Sequence, residues 1–160
     1  MKVIHTINLL LIAALSLAPS YAPTAPKKEL TTYEKIKTLK PRISDLLAQK
    51  ISSSVEKHCS RHQQSLVLSI LFVESSFRPG VQSTTGDIGL GQISPGARLL
   101  YNLEGERLRG IQYNTRWACK ILAKQRKWWE YHSRTPSRAK AYKAKIKAQV
   151  QKIQAAEKGR

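Results

Sequence analysis

The 160-residue, 18.0 kDa chain carries 28 lysines and arginines against 10 aspartates and glutamates, a net charge of +18 and a pI near 10.3. That length suits one compact domain with extensions rather than two full domains, and a hydrophobic fraction of 41% supports a folded core. The charge calls for an anionic partner, and nucleic acid, anionic lipid and a cell wall whose stem peptides carry free carboxylates all qualify.

Residues 1–22 read as an export signal: Lys2 gives the positive start, residues 9–17 an apolar run broken only by Ser16, and Ser20-Tyr21-Ala22 a small-x-small cleavage pattern. The run is short of the about 20 apolar residues that span a bilayer. An uncleaved anchor is the alternative, and in either case the rest of the chain is expected in the periplasm or cell envelope. Residues 23–41, with Pro23, Pro26, Lys27 and Lys28, read as a flexible linker that gives way to structure between Thr32 and Pro41. A domain over residues 42–135 and a basic helix over 136–160 complete the expected organisation.

Ile43, Leu46, Leu47, Ile51 and Val55 trace a packing helix up to His58-Cys59. His58 and His62 lack companions at ligand spacing, so no metal is expected. Cys59 and Cys119 are the only cysteines. In an exported chain such a pair favours a disulfide, the alternative being two buried thiols. A bridge would constrain the unfolded chain by about 4 kcal/mol.

Residues 65–77 are apolar nearly all round and carry one ionisable side chain, Glu74. Leu66, Ile70, Val73 and Phe77 share a helical face, so this helix is expected to be buried and to stop at Arg78-Pro79-Gly80. In the last turn, loss of water and the negative end of the helix dipole disfavour an ionised Glu74, as a general acid requires. The simpler reading is an ion pair with Arg78, four residues on.

Between Pro79 and Pro95 the composition turns to Gly, Ser, Thr and Gln, and Gly80, Gly86, Gly89 and Gly91 let backbone come close to a ligand. Gly-Asp-Ile-Gly-Leu-Gly lacks the Lys-Ser/Thr ending of a P-loop, which argues against nucleotide binding. Asp87 is a second carboxylate here, either a loop-shaping hydrogen-bond acceptor or the partner of Glu74 across a glycosidic bond.

Glu74-Ser75-Ser76-Phe77, then Ser83-Thr84-Thr85-Gly86-Asp87, then Gly89-Leu90-Gly91-Gln92-Ile93 resembles, in order and spacing, the soluble lytic transglycosylase family. The resemblance implies an all-α, lysozyme-like domain that cleaves peptidoglycan, with Glu74 as its acid/base and no cofactor. Ser83 and Gln92 match family positions directly and are expected to bind substrate. The family usually has Met where this chain has Gly91, which predicts one apolar contact to the sugar fewer.

A short helix is expected over residues 97–104 and a longer one over 115–131, capped by Asn114. The spacing of Asn114, Ala118 and Leu122 is similar to that of the family helix behind the catalytic one. Trp117 belongs to its core stripe, and one of Trp128 and Trp129 is expected to stack on a sugar. The family's Ala-Tyr-Asn-Ala-Gly motif is replaced by Tyr131-His132-Ser133-Arg134-Thr135-Pro136. This is similar to a Tyr-His-Ser-x-Thr-Pro variant of transglycosylases that serve secretion and conjugation machines, which implies such an apparatus as a partner. Tyr131 then takes the family tyrosine's place, and His132 has no assigned role. The resemblance covers residues 43–135, and every cleft residue it marks precedes Pro136.

From residue 134 to 160 there are nine basic residues and one acid, Glu157, around an apolar stripe of Tyr142, Ile146, Val150 and Ile153. The preferred reading is a helix docked on the domain with a solvated basic face, and binding to an anionic envelope surface is the other. Apart from Tyr142 the tail lacks the interleaved aromatics of single-strand binders, which argues against nucleic acid. The whole reads as a peptidoglycan lytic transglycosylase. The alternatives are a hydrolytic lysozyme using Glu74 with Asp87, or a basic envelope- or nucleic-acid-binding protein on a lysozyme-like scaffold.

Overall fold

The computed structural model describes residues 29–132 and 135–159. The export signal over 1–22, the first part of the linker, and Ser133 and Arg134 of the variant motif lie outside the described residues.

The first helix, α1 (Thr32–Leu39), falls where the sequence places a flexible linker. A capping box explains it: the Thr31 hydroxyl accepts from Glu34 N at 3.2 Å, and Glu34 Oε2 accepts from Thr31 N at 2.8 Å. Two otherwise orphaned donors are satisfied, and Ile36 and Leu39, three residues apart, bury completely or nearly so. Structure thus begins at the early end of the expected window from Thr32 to Pro41, and only the linker's extension through residues 32–39 is corrected.

Ser44 caps α2 (Asp45–His58), which buries Ala48, Ile51 and Val55 while Leu46 stays 63% exposed. At its end Cys59 is joined by a disulfide to Cys119, the two Cα atoms 5.5 Å apart. Cys119 lies on α5 (Ile111–Lys124), which packs along α2.

The centre of the fold is α3 (Gln64–Ser75), with Val67, Leu68, Ile70 and Leu71 buried. It ends before Arg78-Pro79-Gly80, because Ser76 and Phe77 both take left-handed backbone, φ 52° and 58°. Two successive non-glycine residues there are strained. Burial compensates, since the turn sends Phe77 back into the core, fully buried and 5.6 Å from the Phe72 ring. The freed carbonyls at the helix end are covered: Arg78 Nε donates to Ser75 O at 3.0 Å and Lys40 Nζ to Ser76 O at 2.8 Å.

Ser94 caps the short α4 (Pro95–Tyr101), with Pro95 in the first turn. The last helix, α6 (Pro136–Lys158), packs against both α3 and α1. It buries Tyr142, Ile146 and Ile153, and its Glu157 lies 3.4 Å from Lys35, a buried ammonium that also meets Glu29 at 2.7 Å. Among the described residues no helix is long and apolar enough to cross a membrane.

Because α6 supplies core rather than decoration, deleting residues 136–160 is expected to unfold the domain at every salt concentration. Ile146→Ala, at a fully buried position, should cost about 2–5 kcal/mol in urea denaturation. A truncated protein with an unchanged melting temperature would contradict this packing.

Candidate active site

Glu74 projects from the last turn of α3 with its side chain 10% exposed, and its Oε1 is buried without a hydrogen-bond partner. The alternative pair with Arg78 does not form, since the guanidinium caps the helix end instead. Among the described residues the basic group beside it is His132, whose Nδ1 stands 3.6 Å from Oε1, too long for a good hydrogen bond. The imidazole stacks on the Tyr142 ring at 4.8 Å and 15°. Tyr142, buried on α6, brings its own unpartnered hydroxyl to the same carboxylate. Burial first, then the charge of Glu74, push the Tyr142 pKa far up, and burial with the charges of Glu74 and Asp87 does the same for Tyr131. Both phenols therefore remain hydrogen-bond donors at any physiological pH.

Across the cleft runs the glycine-rich loop, pinned from below by Asn114. This residue is not the expected N-cap: α5 begins three residues earlier, and Asn114 is a fully buried residue of its first turn. Its amide accepts from Gly91 N at 2.8 Å and donates to Ile88 O at 2.9 Å and Leu108 O at 2.8 Å. Ile88 and Ile93 exchange backbone hydrogen bonds at 3.1 and 3.0 Å, closing a tight turn around Gly89 and Gly91. Gln92 in that turn has φ 47°, a third strained non-glycine residue beside the cleft.

The other side chains matched to the family mostly serve the loop. Ser83 and Thr85 donate to Asp87 Oδ2 at 3.0 and 2.7 Å, and Asp87 N returns a bond to Ser83 Oγ at 2.9 Å. Gln92 Nε2 donates to Gly89 O at 2.9 Å and Val81 O at 3.3 Å. Tyr131 donates to Gly91 O at 2.8 Å. Gly91 is explained by these neighbours: a Cβ there would come within 2.7 Å of the Tyr131 hydroxyl, 2.9 Å of Ala118 Cβ and 3.3 Å of Asn114 Oδ1. The position points into the protein, so the expected loss of a sugar contact is corrected to a packing requirement.

Glu74, Asp87, Gln92, Tyr131 and His132 line one cleft of about 90 Å³, and Ser83 does not line it. Pockets that enclose a whole small ligand hold about 300–1,000 Å³. This cleft is too small to enclose a whole small ligand. The tandem tryptophans do not line it. The helix expected over 115–131 breaks at Gln125, and a separate 3₁₀ turn, Trp128–Tyr131, directs Tyr131 to the cleft and Trp129 away from it. Tyr142 is the contributor that sequence reasoning missed. Its place in the stripe of α6 signalled core, and nothing local signalled a carboxylate opposite. His58 bonds Gln112 at 3.0 Å, and among the described residues no three His, Cys, Asp or Glu side chains group as metal ligands.

Helices wrapped around a buried carboxylate, with a glycine-rich loop facing it, define a lysozyme-like all-α domain. The family model of the transglycosylase SLT domain matches residues 53–159, about two thirds of the chain, and the protein belongs to this family of peptidoglycan lytic transglycosylases. The match runs through α6, beyond the residues 43–135 that the sequence resemblance covers. No curated protein and no solved structure matches the chain.

Gly91→Met is expected to destabilise the fold by about 1–3 kcal/mol through overpacking against Tyr131 and Ala118, measured as a shift in denaturation midpoint. A neutral or stabilising Met would show that the loop can yield.

The Glu74 carboxylate, ahead of the opposing effect of burial, raises the pKa of His132. A raised folded-state pKa means that, while Glu74 is ionised, protonated His132 contributes stability that is fully present below about pH 6.5 and is lost as pH rises through the folded value. In Glu74→Gln the His132 midpoint, followed by NMR, should fall toward the ordinary value. An unmoved midpoint would mean that the two groups do not interact.

Proposed function

We propose that the protein is an exported lytic transglycosylase that cleaves the MurNAc-GlcNAc β-1,4 bond of peptidoglycan, with Glu74 as its single general acid and base. The observation that carries this reading is a carboxylate with a buried, unpartnered oxygen, at the bottom of a cleft, in a chain of this family. Glu74 protonates the glycosidic oxygen as the bond from the muramoyl anomeric carbon breaks. Its carboxylate then takes the proton of the muramoyl 6-hydroxyl, whose oxygen bonds to the anomeric carbon. A 1,6-anhydro sugar results, and no water is consumed.

Tyr131 supports the loop from beneath, holding Gly91 O at 2.8 Å. Tyr142 offers a hydroxyl to Glu74, and His132 a positive charge that compensates the carboxylate once its proton has gone. Ser83 and Gln92 act through the shape of the loop, exposing its backbone to sugar hydroxyls and acetamido groups. Residues 1–22 act as the export signal, which places the enzyme in the periplasm or cell envelope, and the motif at Tyr131-His132 associates it with a secretion or transfer apparatus.

A second reading has one observation in its favour: Asp87 lines the same cleft as Glu74. As base or nucleophile it would make the enzyme a hydrolase. Its bonds to Ser83 and Thr85 weigh toward the loop-shaping role.

Glu74→Gln is expected to lower cleavage of purified sacculi by more than a thousandfold while sacculus binding persists, because an amide keeps the shape and cannot relay the proton. Mass spectrometry of the released muropeptides decides the reaction type. Anhydro ends support the transglycosylase, and hydrated ends support the hydrolase with Asp87. Activity within tenfold of wild type in Glu74→Gln would remove Glu74 from both.

A further inference from the structure

The 3₁₀ turn that brings Tyr131 and His132 to Glu74 presents Trp129 to a second concavity, of about 370 Å³, between that turn and the start of α6. Lys127, Lys140 and Lys143 line it, with Glu130 as the one acid. Trp129 is partly buried and braced edge-on by Trp128, their ring centres 5.5 Å apart at 85°. The Lys143 ammonium sits 3.8 Å from the centre of the Trp129 ring, and that of Lys127 at 5.9 Å. Among the described residues, no carboxylate lies within 4.0 Å of these three ammonium groups.

Three features distinguish this groove from an ordinary basic surface. Lys143 is held by the ring rather than solvated freely, so ordering it costs a ligand less. The charges stand around a concavity, which concentrates their field. An exposed strip of indole beside them suits a chain that is apolar between its charges.

We infer that this groove binds the carboxylates of the peptidoglycan stem peptide, the branch hanging from the muramic acid whose glycosidic bond lies at Glu74. The inference rests on the transglycosylase reading for the identity of the glycan. Reach permits it: Trp129 and Tyr131 are two residues apart, so their Cα atoms are within about 7 Å, whereas an extended peptide of four residues spans up to about 14 Å. A sugar across the cleft can thus lay its peptide along the start of α6. Lys140 and Lys143 then meet carboxylates, and Trp129 packs against the small side chains between them. Glu130 repels acidic groups on one side of the groove and sets the direction of entry.

The test uses the full chain and two substrates, soluble glycan fragments bearing stem peptides and the same fragments after amidase removal of the peptides. In the variant Lys140→Glu/Lys143→Glu, kcat/KM on the peptide-bearing glycan is expected to fall at least tenfold, mainly through KM. That on the stripped glycan should change less than twofold. Binding of the free stem tetrapeptide, followed by NMR at low salt, should be lost in the same variant and in Trp129→Ala. A melting temperature near that of wild type certifies both variants as folded.

Equal losses on the two substrates, or undiminished tetrapeptide binding, would overturn the proposal. So would a variant that loses affinity only for anionic vesicles or for single-stranded nucleic acid. The tetrapeptide titration needs no catalysis. A wild-type protein that binds the peptide and leaves glycan intact would refute the transglycosylase reading and sustain the groove.

Discussion

One buried amide holds the site together. Asn114 meets the backbone N–H of Gly91 and the carbonyl of Leu108 in the interior, and adds a second donor to the carbonyl of Ile88, which already accepts from Ile93. An unmet buried polar group costs about 1–3 kcal/mol, so the loop has strong reason to stay where this side chain receives it. With Gly91 fixed, its carbonyl is offered to Tyr131, its neighbour Gln92 is forced into left-handed backbone, and Asp87 is carried to the side of the cleft facing Glu74. Rigid support of this kind is what a catalytic cleft needs, because a reacting group displaced by an ångström loses much of its effect.

The opposite wall is built by strain. Ser76 and Phe77 leave the helix in a conformation that L side chains rarely adopt, and full burial of Phe77 keeps them there. The chain turns away immediately after Glu74, so the carboxylate stands at a free edge of α3 instead of being covered by a further helical turn. Arg109 steadies the segment beyond the turn, donating to Gly80 O at 3.0 Å and Gln82 Oε1 at 2.9 Å. Backbone strain beside a cleft is a common companion of function. Here its consequence is visible, since Glu74 is nearly buried yet lines an open concavity.

The last helix joins stability to the site. Ile146 and Ile153 fill the core against α1 and α3, and Tyr142 on the same stripe reaches Glu74. Its other faces carry exposed Lys140, Lys145, Lys147 and Lys152, so one element supplies core, a phenol beside Glu74 and much of the basic surface. The ion pair of Lys35 with Glu157 ties its far end to α1. A charge of this sign concentrates an acidic polymer near the protein without specifying where it docks.

Much of this was legible in local pattern. The apolar run ending at Glu74, the glycine-rich loop and the order of the two are properties of short stretches, and they led to the all-α, lysozyme-like class and to the family. The capping box at Thr31 and Glu34 is an equally local pattern, one that the prolines before it obscure. What no stretch could reveal was which buried atoms meet. Asn114 has the composition of an N-cap, Gly91 that of a ligand-facing loop residue and Tyr142 that of a core stripe. Closure of the fold instead brought residue 91 to 114 and 131, and residue 74 to 132 and 142. Local sequence determines period, caps and turns because those are satisfied within a few residues. The cleft was decided by tertiary structure, because each buried polar group there finds its partner across the packed interior.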